Sequence, residues 1–233
     1  SMELGGNAPF IVFEDADIDA AVEGALISKY RNSGQTCVCT NRILVQESIH
    51  DAFVAKLVAA TADLKMGNGL EDGVQQGPLV NAGAVQDVDE LVQLSVEAGA
   101  KVALGGARSE LGPCYYQPTV LTAVTPDMAV FRHEIFGPVA PVMSFTDEAE
   151  AISLANDTEF GLASYFYTRD IGRVWRVSEA LDYGMVGVNE GIISNEMAPF
   201  GGVKASGSGR EGSKYGIDDY LEIKYILMGG LDR

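Results

Sequence analysis

Short apolar runs alternate with longer segments of helical periodicity along most of this chain. Between residues 18 and 30, apolar residues recur at spacings of three and four, which predicts an amphipathic helix capped by residues 15–17. The same pattern predicts further helices, the first of them capped by Ser48, at residues 48–64, 81–98, 147–156 and 170–181. Apolar and β-branched runs predict strands at residues 10–13, 42–45, 102–104, 115–121, 139–145, 163–167 and 185–189.

Because helices and strands alternate, we predict an α/β fold in three layers, with a parallel sheet covered by helices on both faces.

The end of the chain has a different pattern. Within residues 221–227 every second residue is apolar, namely Leu221, Ile223, Tyr225 and Leu227. This alternation predicts a half-buried strand. Such a strand either closes the sheet of this domain or pairs with a neighbouring subunit along an exposed edge.

Composition narrows the classes of partner and location. The 233 residues suffice for one large domain or two small ones, and no apolar run approaches the roughly 20 residues of a membrane span. The net charge of −17 disfavours nucleic acids and anionic membranes, which bind clustered Lys and Arg. Three cysteines, a low and odd number, and the absence of a visible signal peptide indicate a reducing compartment, here the cytoplasm.

The segment around Cys37 is the strongest candidate for chemistry. Gly, Gln and Thr precede this cysteine, which predicts an open turn that could present a nucleophilic thiol. Cys37 and Cys39 could instead be two small buried residues or a strained disulfide. Half of a zinc site is a further alternative, but the remaining Cys and His residues form no second pair: Cys114, His50 and His133.

Four segments resemble motifs of the aldehyde dehydrogenase superfamily, in the expected order. They are ELGGN at 3–7, YRNSGQTC at 30–37, EIFGP at 134–138 and PFGGVK at 199–204. Three further segments are most similar to the succinate-semialdehyde dehydrogenase branch of that superfamily, namely residues 34–39, 191–195 and 209–216. The resemblance runs along nearly the whole chain.

The resemblance implies a cysteine-based oxidation. The Cys37 thiolate would attack an aldehyde to form a thiohemiacetal, and hydride transfer to NAD or NADP would leave a thioester. Glu3 would be the general base that activates water for hydrolysis of the thioester, and we expect its pKa to be raised. The Cys37 backbone N–H would donate to the oxyanion. From composition alone, Glu3 could equally be a surface carboxylate near the terminus.

The resemblance also implies binding residues. Glu134 and Phe136 match positions that contact the cofactor, although Phe136 could instead be a core aromatic residue. Arg31 would hold the distal carboxylate of the substrate through two parallel hydrogen bonds, unless it is a solvated residue at a helix end. Ser194 matches a second carboxylate contact and Phe200 a wall of the substrate pocket. A local cation is needed because the acidic chain repels anions at long range.

The resemblance further implies a division of the chain. Residues 1–216 would be the catalytic domain and residues 217–233 a tail whose strand supports a homodimer or homotetramer. The coenzyme-binding domain of the family should precede Glu3, so this chain is expected to be a fragment with little turnover alone. Cys37 and Cys39 could also form a reversible disulfide that stops activity.

Three other functions stay open. The chain could belong to a dehydrogenase of another carboxylated semialdehyde, such as glutarate semialdehyde. It could be a non-catalytic assembly module, or a thiol esterase that uses Cys37 without a cofactor.

Overall fold

A computed structural model describes residues 1–232, and its centre is a seven-stranded sheet. The strands of the chain are β1 Met2–Glu3, β2 Ala8–Val12, β3 Thr40–Gln46, β4 Lys101–Leu104, β5 Thr119–Thr122, β6 Val139–Phe145, β7 Phe160–Gly161, β8 Ala163–Tyr167, β9 Met185–Val188, β10 Val203–Lys204 and β11 Gly207–Ser208. The central sheet has the order β4-β5-β6-β3-β2-β8-β9. All neighbouring pairs in it are parallel except β4 with β5. The parallel α/β prediction is confirmed, with one antiparallel edge strand that it did not include.

Helices cover both faces of this sheet. They are α1 Ile18–Tyr30, α2 His50–Ala62, α3 Ala82–Glu97, α4 Ala129–Arg132, α5 Glu148–Asn156 and α6 Ile171–Ala180. Strand β2 shows why two cores form: Phe10 and Val12 pack towards α1 and α2, whereas Ile11 packs towards α3, α5 and α6. A central parallel strand is apolar on both faces, so alternate side chains enter opposite cores.

Several predicted boundaries match the structure because they depend on local signals. Helix α1 occupies residues 18–30 as predicted, and the side chain of Asp17 caps it by accepting the Asp19 and Ala20 N–H groups. Strands β6 and β8 also have the predicted bounds. The predicted cap Ser48 is wrong. A 3₁₀ turn at Glu47–Ile49 precedes α2, and the Ser48 hydroxyl donates to Glu14 instead.

The strand predicted at residues 115–121 begins only at Thr119. Residues 115–117 instead bond the loop at residues 107–109, through Ser109 N–H to Tyr115 O and Gln117 N–H to Ala107 O. Pro118 has no N–H group, which favours a change of pairing at this position.

The tail forms no strand within residues 1–232. Residues 221–230 have no regular structure, and the side chains predicted to be half-buried are exposed, from 60% at Leu221 to 100% at Ile223. The interpretation that this segment closes the sheet of its own domain is therefore wrong, because it pairs with neither edge strand of that sheet, β4 or β9. Pairing with a neighbouring subunit stays a prediction, as does the division at residue 216.

No helix in the described part of the chain is long and apolar enough to span a membrane.

Candidate active site

The predicted motifs meet at the end of the sheet where the parallel strands begin. Cys37 lies just before β3, Glu134 just before β6, and Asn7 immediately before β2. Since β6, β3 and β2 are neighbours and run parallel, their amino ends lie side by side. These three segments of the sequence thus converge at one end of the sheet.

A sharp turn carries Cys37 away from α1. After Tyr30 the backbone enters left-handed conformations at Asn32, Ser33 and Gly34, with φ values of 51°, 55° and 78°. Gly34 is required because a Cβ there would lie 2.1 Å from the Gly137 carbonyl oxygen. The turn leaves Cys37 half-buried, outside any helix or strand, as the Gly-Gln-Thr run predicts.

The glycine pair of the ELGGN segment permits close contact between the motifs. A Cβ on Gly6 would lie 2.3 Å from the Cys37 carbonyl oxygen, and one on Gly5 would lie 2.7 Å from Glu134 Oε2. The Gly6 N–H donates to Glu134 Oε1 at 3.0 Å. Only glycines allow this approach, so the backbone before β2 joins the cysteine segment to the Glu134 segment.

Two carboxylates act on the Cys37 thiol. Burial raises the pKa of Cys37, and the negative charges of Glu3 and Glu134 raise it further. The thiol is therefore mostly protonated at neutral pH, and forming the thiolate requires an acceptor for its proton. A carboxylate close enough to raise this pKa is a suitable acceptor.

Short strand pairing holds Glu3 in place. Strand β1 pairs with β11, with Glu3 opposite Gly207. Ser206 fixes the next residues, because its carbonyl accepts the Leu4 N–H at 3.1 Å and its hydroxyl donates to Gly5 O at 2.7 Å. Burial and the charge of Glu211 raise the pKa of Glu3, and Arg210 partly opposes them. The raised pKa agrees with expectation, although a second carboxylate contributes to it.

Glu134 and Phe136 have the geometry of binding groups. Oε1 of Glu134 accepts the Gly6 N–H, and within residues 1–232 Oε2 accepts no hydrogen bond. Burial raises the pKa of Glu134, against the Gly6 N–H and the charge of buried Lys29, whose own pKa burial lowers to about 8. Phe136 has a φ of 51° and is 44% exposed, so the core-aromatic alternative is wrong. An accepting oxygen and an exposed ring fit a ribose and a flat heterocycle.

The predicted substrate residues lie on and beside the loop that follows β9. Ser194 and Phe200 line a cleft of about 470 Å³ together with Ile192 and Ile193. Arg31 does not line that cleft. Together with Ile192 it lines two other surface pockets. Within the described residues its guanidinium makes no ion pair, which leaves it available to an anion. The structure thus places Arg31 beside the loop that carries Ser194.

Cys39 points away from solvent. It is 6% exposed, and its sulfur lies 2.6 Å from Thr36 Oγ1 and 3.8 Å from the Arg31 carbonyl oxygen. All three cysteines are free thiols. In residues 1–232 no group of three His, Cys, Asp or Glu side chains is arranged to hold a metal ion, so the zinc alternative has no support there.

Sequence reasoning missed the buried polar residues behind the site. Asn7, Asn41, Arg42 and Ser206 are at most 3% exposed and bond the backbone of the motif segments. The available signal was the pair Asn41-Arg42 at the start of a strand predicted to be apolar. A polar residue in such a place needs internal partners, which predicts a role in holding other segments.

The fold and these segments define a cysteine-bearing α/β domain with two carboxylates at its thiol. The chain belongs to the aldehyde dehydrogenase family, which it matches over residues 1–226, and the predicted resemblance is confirmed. It is 64% identical to "Glutarate-semialdehyde dehydrogenase" of Pseudomonas aeruginosa over 99% of this chain and 48% of that protein. It is 60% identical to "Succinate-semialdehyde dehydrogenase [NADP(+)]" of Escherichia coli over 98% of this chain and 48% of that protein.

A solved structure described as succinate-semialdehyde dehydrogenase from Burkholderia pseudomallei is 62% identical to this chain. It superposes with a TM-score of 0.96 over 97% of this chain and 47% of its own. The chain therefore spans about half the length of the relatives that it matches.

Proposed function

We propose that this chain supplies the nucleophile of a dehydrogenase that oxidises an aldehyde with a distal carboxylate, succinate semialdehyde first. The convergence of the Cys37, Glu3 and Glu134 segments through Gly5 and Gly6 is the observation that carries this proposal. The names of the relatives support a semialdehyde as the substrate class.

The residues of the chain divide the chemistry among them. The Cys37 sulfur attacks the aldehyde carbon while its proton passes to a carboxylate, directly or through water, and a thiohemiacetal forms. The Cys37 N–H makes no hydrogen bond with another residue of the described chain, so it can donate to the developing oxyanion. When bound, NAD or NADP supplies the hydride acceptor, and Glu134 and Phe136 would hold its nicotinamide end.

Loss of the hydride leaves a thioester on Cys37. Glu3 then removes a proton from water as the water attacks the thioester carbonyl carbon, and the carbon–sulfur bond breaks to release the acid and the thiol. Burial and Glu211 raise the pKa of Glu3 towards neutrality, which strengthens it as a base. In this arrangement Arg31, beside the loop, and Ser194, on the loop, recognise the distal carboxylate, and Phe200 packs against the carbon chain.

The proposal can be tested on the 233 residues themselves, without a cofactor. Succinate semialdehyde should form a reversible adduct with Cys37 and protect it from iodoacetamide, with site-specific labelling followed by mass spectrometry. Butanal, a neutral aldehyde of equal length, serves as the comparison. An inert Cys37, or alkylation that neither aldehyde slows, would contradict the proposal and favour the assembly module.

Arg31→Ala tests the carboxylate clamp. Because a charged hydrogen bond contributes about 1.5–3 kcal/mol, the concentration of succinate semialdehyde that gives half-protection should rise about tenfold or more. The value for butanal should not change. Arg108→Ala, which removes an exposed arginine paired with Asp89, is the matched control. Equal weakening for both aldehydes would refute the clamp.

Glutarate semialdehyde is the second candidate substrate, because the Pseudomonas aeruginosa relative carries that name. It has one more methylene between aldehyde and carboxylate. Comparison of the two semialdehydes in the same protection assay ranks them by chain length. Hydrolysis of an activated ester without cofactor would instead favour the thiol esterase.

We further propose that the tail pairs with a second copy of the chain, and that the protein works in the reducing cytoplasm.

We also propose a disulfide switch, in which peroxide oxidises the Cys37 and Cys39 thiols to a disulfide and is reduced to water. In that case peroxide should block alkylation of Cys37 reversibly, and Cys39→Ala should prevent most of the reversible block. A full block in Cys39→Ala that dithiothreitol still reverses would count against the switch.

A further inference from the structure

Asn41 holds the backbone on both sides of Glu134. Its Nδ2 group donates to the His133 carbonyl at 2.8 Å, and its Oδ1 atom accepts the Ile135 N–H at 3.1 Å. One side chain therefore fixes the residue before and the residue after Glu134. Asn41 is 3% exposed, so no solvent replaces these bonds.

A second buried amide continues the contact. Asn41 Nδ2 also donates to Asn7 Oδ1 at 2.7 Å, and Asn7 Nδ2 donates to the Phe131 carbonyl at 3.1 Å. Asn7 directly follows the glycine pair that touches Cys37 and Glu134. The two amides thus link three segments: the strand after the nucleophile, the glycine segment and the loop of Glu134.

Few backbone bonds support this loop otherwise. His133 N–H donates to Ala129 at its start, but between residues 134 and 137 the only N–H hydrogen bond in the described chain is the one from Ile135 to Asn41. Phe136 has a positive φ, a conformation that surrounding contacts must maintain. Beside the packing of Ile135 in the core, the Asn41 side chain therefore supplies the hydrogen bonds that hold the backbone at Glu134.

We propose that Asn41 is a positioning residue that sets where the Glu134 carboxylate lies relative to the Cys37 thiol. This role rests on the proposed function, in which Glu134 contacts the cofactor beside the nucleophile. An amide is suited to it because it donates and accepts at once; a carboxylate would accept from Ile135 but could not donate to His133 or Asn7.

The charged and titratable groups at the thiol are Glu3, Glu134 and Cys39, and Lys29 faces Glu134. Asn41→Ala should release the loop, so that the carboxylate spends less time near the sulfur. The pH profile of Cys37 alkylation should then move down by about half a unit, about threefold faster labelling at pH 7. In the Glu134→Gln background, Asn41→Ala should cause no further shift, because the charge is already removed.

Asn156→Ala is the matched control. Asn156 also bridges two backbone groups, the Ala180 carbonyl at 2.8 Å and the Asp182 N–H at 2.9 Å, but it touches none of the motif segments. It should destabilise the chain without moving the Cys37 profile. Hydrogen exchange of the peptide at residues 131–138 should accelerate in Asn41→Ala and stay unchanged in Asn156→Ala.

The proposal is overturned if Asn41→Ala leaves both the Cys37 profile and the exchange of residues 131–138 unchanged. It is also overturned if the profile shifts equally with Glu134 and with Gln at that position. If Asn41→Ala does not fold, Asn41→Ser, whose hydroxyl is too short to span both backbone groups, takes its place with the same expectations. No step needs aldehyde or cofactor, so absence of an aldehyde adduct would reject the proposed function and leave this test intact.

Discussion

The two ends of the parallel sheet treat carboxylates in opposite ways. At the amino ends of the strands, Glu3 and Glu134 lie near a thiol, and burial raises the pKa of both. Beyond the carboxyl ends, Arg173 pairs with two carboxylates: its Nη1 atom lies 2.7 Å from Asp15 Oδ1 and its Nε atom 3.0 Å from Glu148 Oε2. Within residues 1–232, Glu3 and Glu134 form no ion pair, whereas Asp15 and Glu148 each pair with an arginine.

The pKa directions follow from these partners. Burial by itself raises the pKa of Asp15, but hydrogen bonds from Thr168 and from the Arg169 backbone, with the charge of Arg173, hold it below its ordinary value. Hydrogen bonds from Arg176 and Arg173 outweigh burial at Glu148 and lower its pKa. The carboxyl end is therefore built for stability, whereas the amino end keeps groups in a state that suits proton transfer.

Arg173→Ala should have the largest effect and should act on stability alone. The side chain is 18% exposed and also lies 4.4 Å over the Phe13 ring. Its loss removes the cation that Asp15 and Glu148 share and leaves Glu148 paired with Arg176 alone. We expect the free energy of unfolding to fall by about 2 kcal/mol at pH 7, measured by urea denaturation. Cys37 alkylation in the folded chain should not change. An altered Cys37 profile would show that the two ends are coupled.

Low pH should reduce the loss of stability that Arg173→Ala causes. Because folding lowers the pKa of Asp15 and Glu148, their contribution is complete above the ordinary carboxyl pKa of about 4 and is lost as pH falls through the lower folded values. The difference between wild type and Arg173→Ala should therefore shrink at pH 3.

Glu3→Gln should have a smaller effect than Arg173→Ala, and it should act on the reactivity of the Cys37 thiol. Removing a negative charge that raises the pKa of Cys37 should increase alkylation at pH 7 by about threefold, corresponding to half a pKa unit. Glu148→Gln, at the other end of the sheet, is the control and should leave the rate unchanged. Slower alkylation in Glu3→Gln would mean that Glu3 acts on the thiol mainly as its base and not through its charge.

Glu134→Gln should give the smallest effect. The contribution of Glu134 to stability should also change with pH in the direction opposite to that of Asp15 and Glu148. Because folding raises the pKa of Glu134, its contribution to stability is complete at low pH and is lost as pH rises through the folded pKa. Gln keeps an oxygen that can accept the Gly6 N–H, so the variant should be slightly more stable at pH 7, by up to about 0.5 kcal/mol. Thermal unfolding at pH 4 and pH 7 measures the difference. Destabilisation at pH 7 would show that the ionised carboxylate is required for packing.

The sequence by itself determined the elements and the candidate groups. Helix α1 and strands β6 and β8 match their predicted bounds, because periodicity and the cap at Asp17 are local signals. The family motifs identified Cys37, Glu3 and Glu134 as candidates before their positions were known. Local patterns failed where pairing depends on distant chain, as at residues 115–118 and in the tail.

Only the tertiary structure decided how the candidates meet. It placed them at the amino ends of the strands, and it raised the pKa of the thiol by burying it and by bringing the charges of Glu3 and Glu134 to act on it. The bond from Gly6 to Glu134 spans 128 positions of sequence, and the bonds from Asn41 to the Glu134 loop span 92 and 94. Periodicity and capping act over a few residues, whereas these contacts exist only when the strands lie side by side.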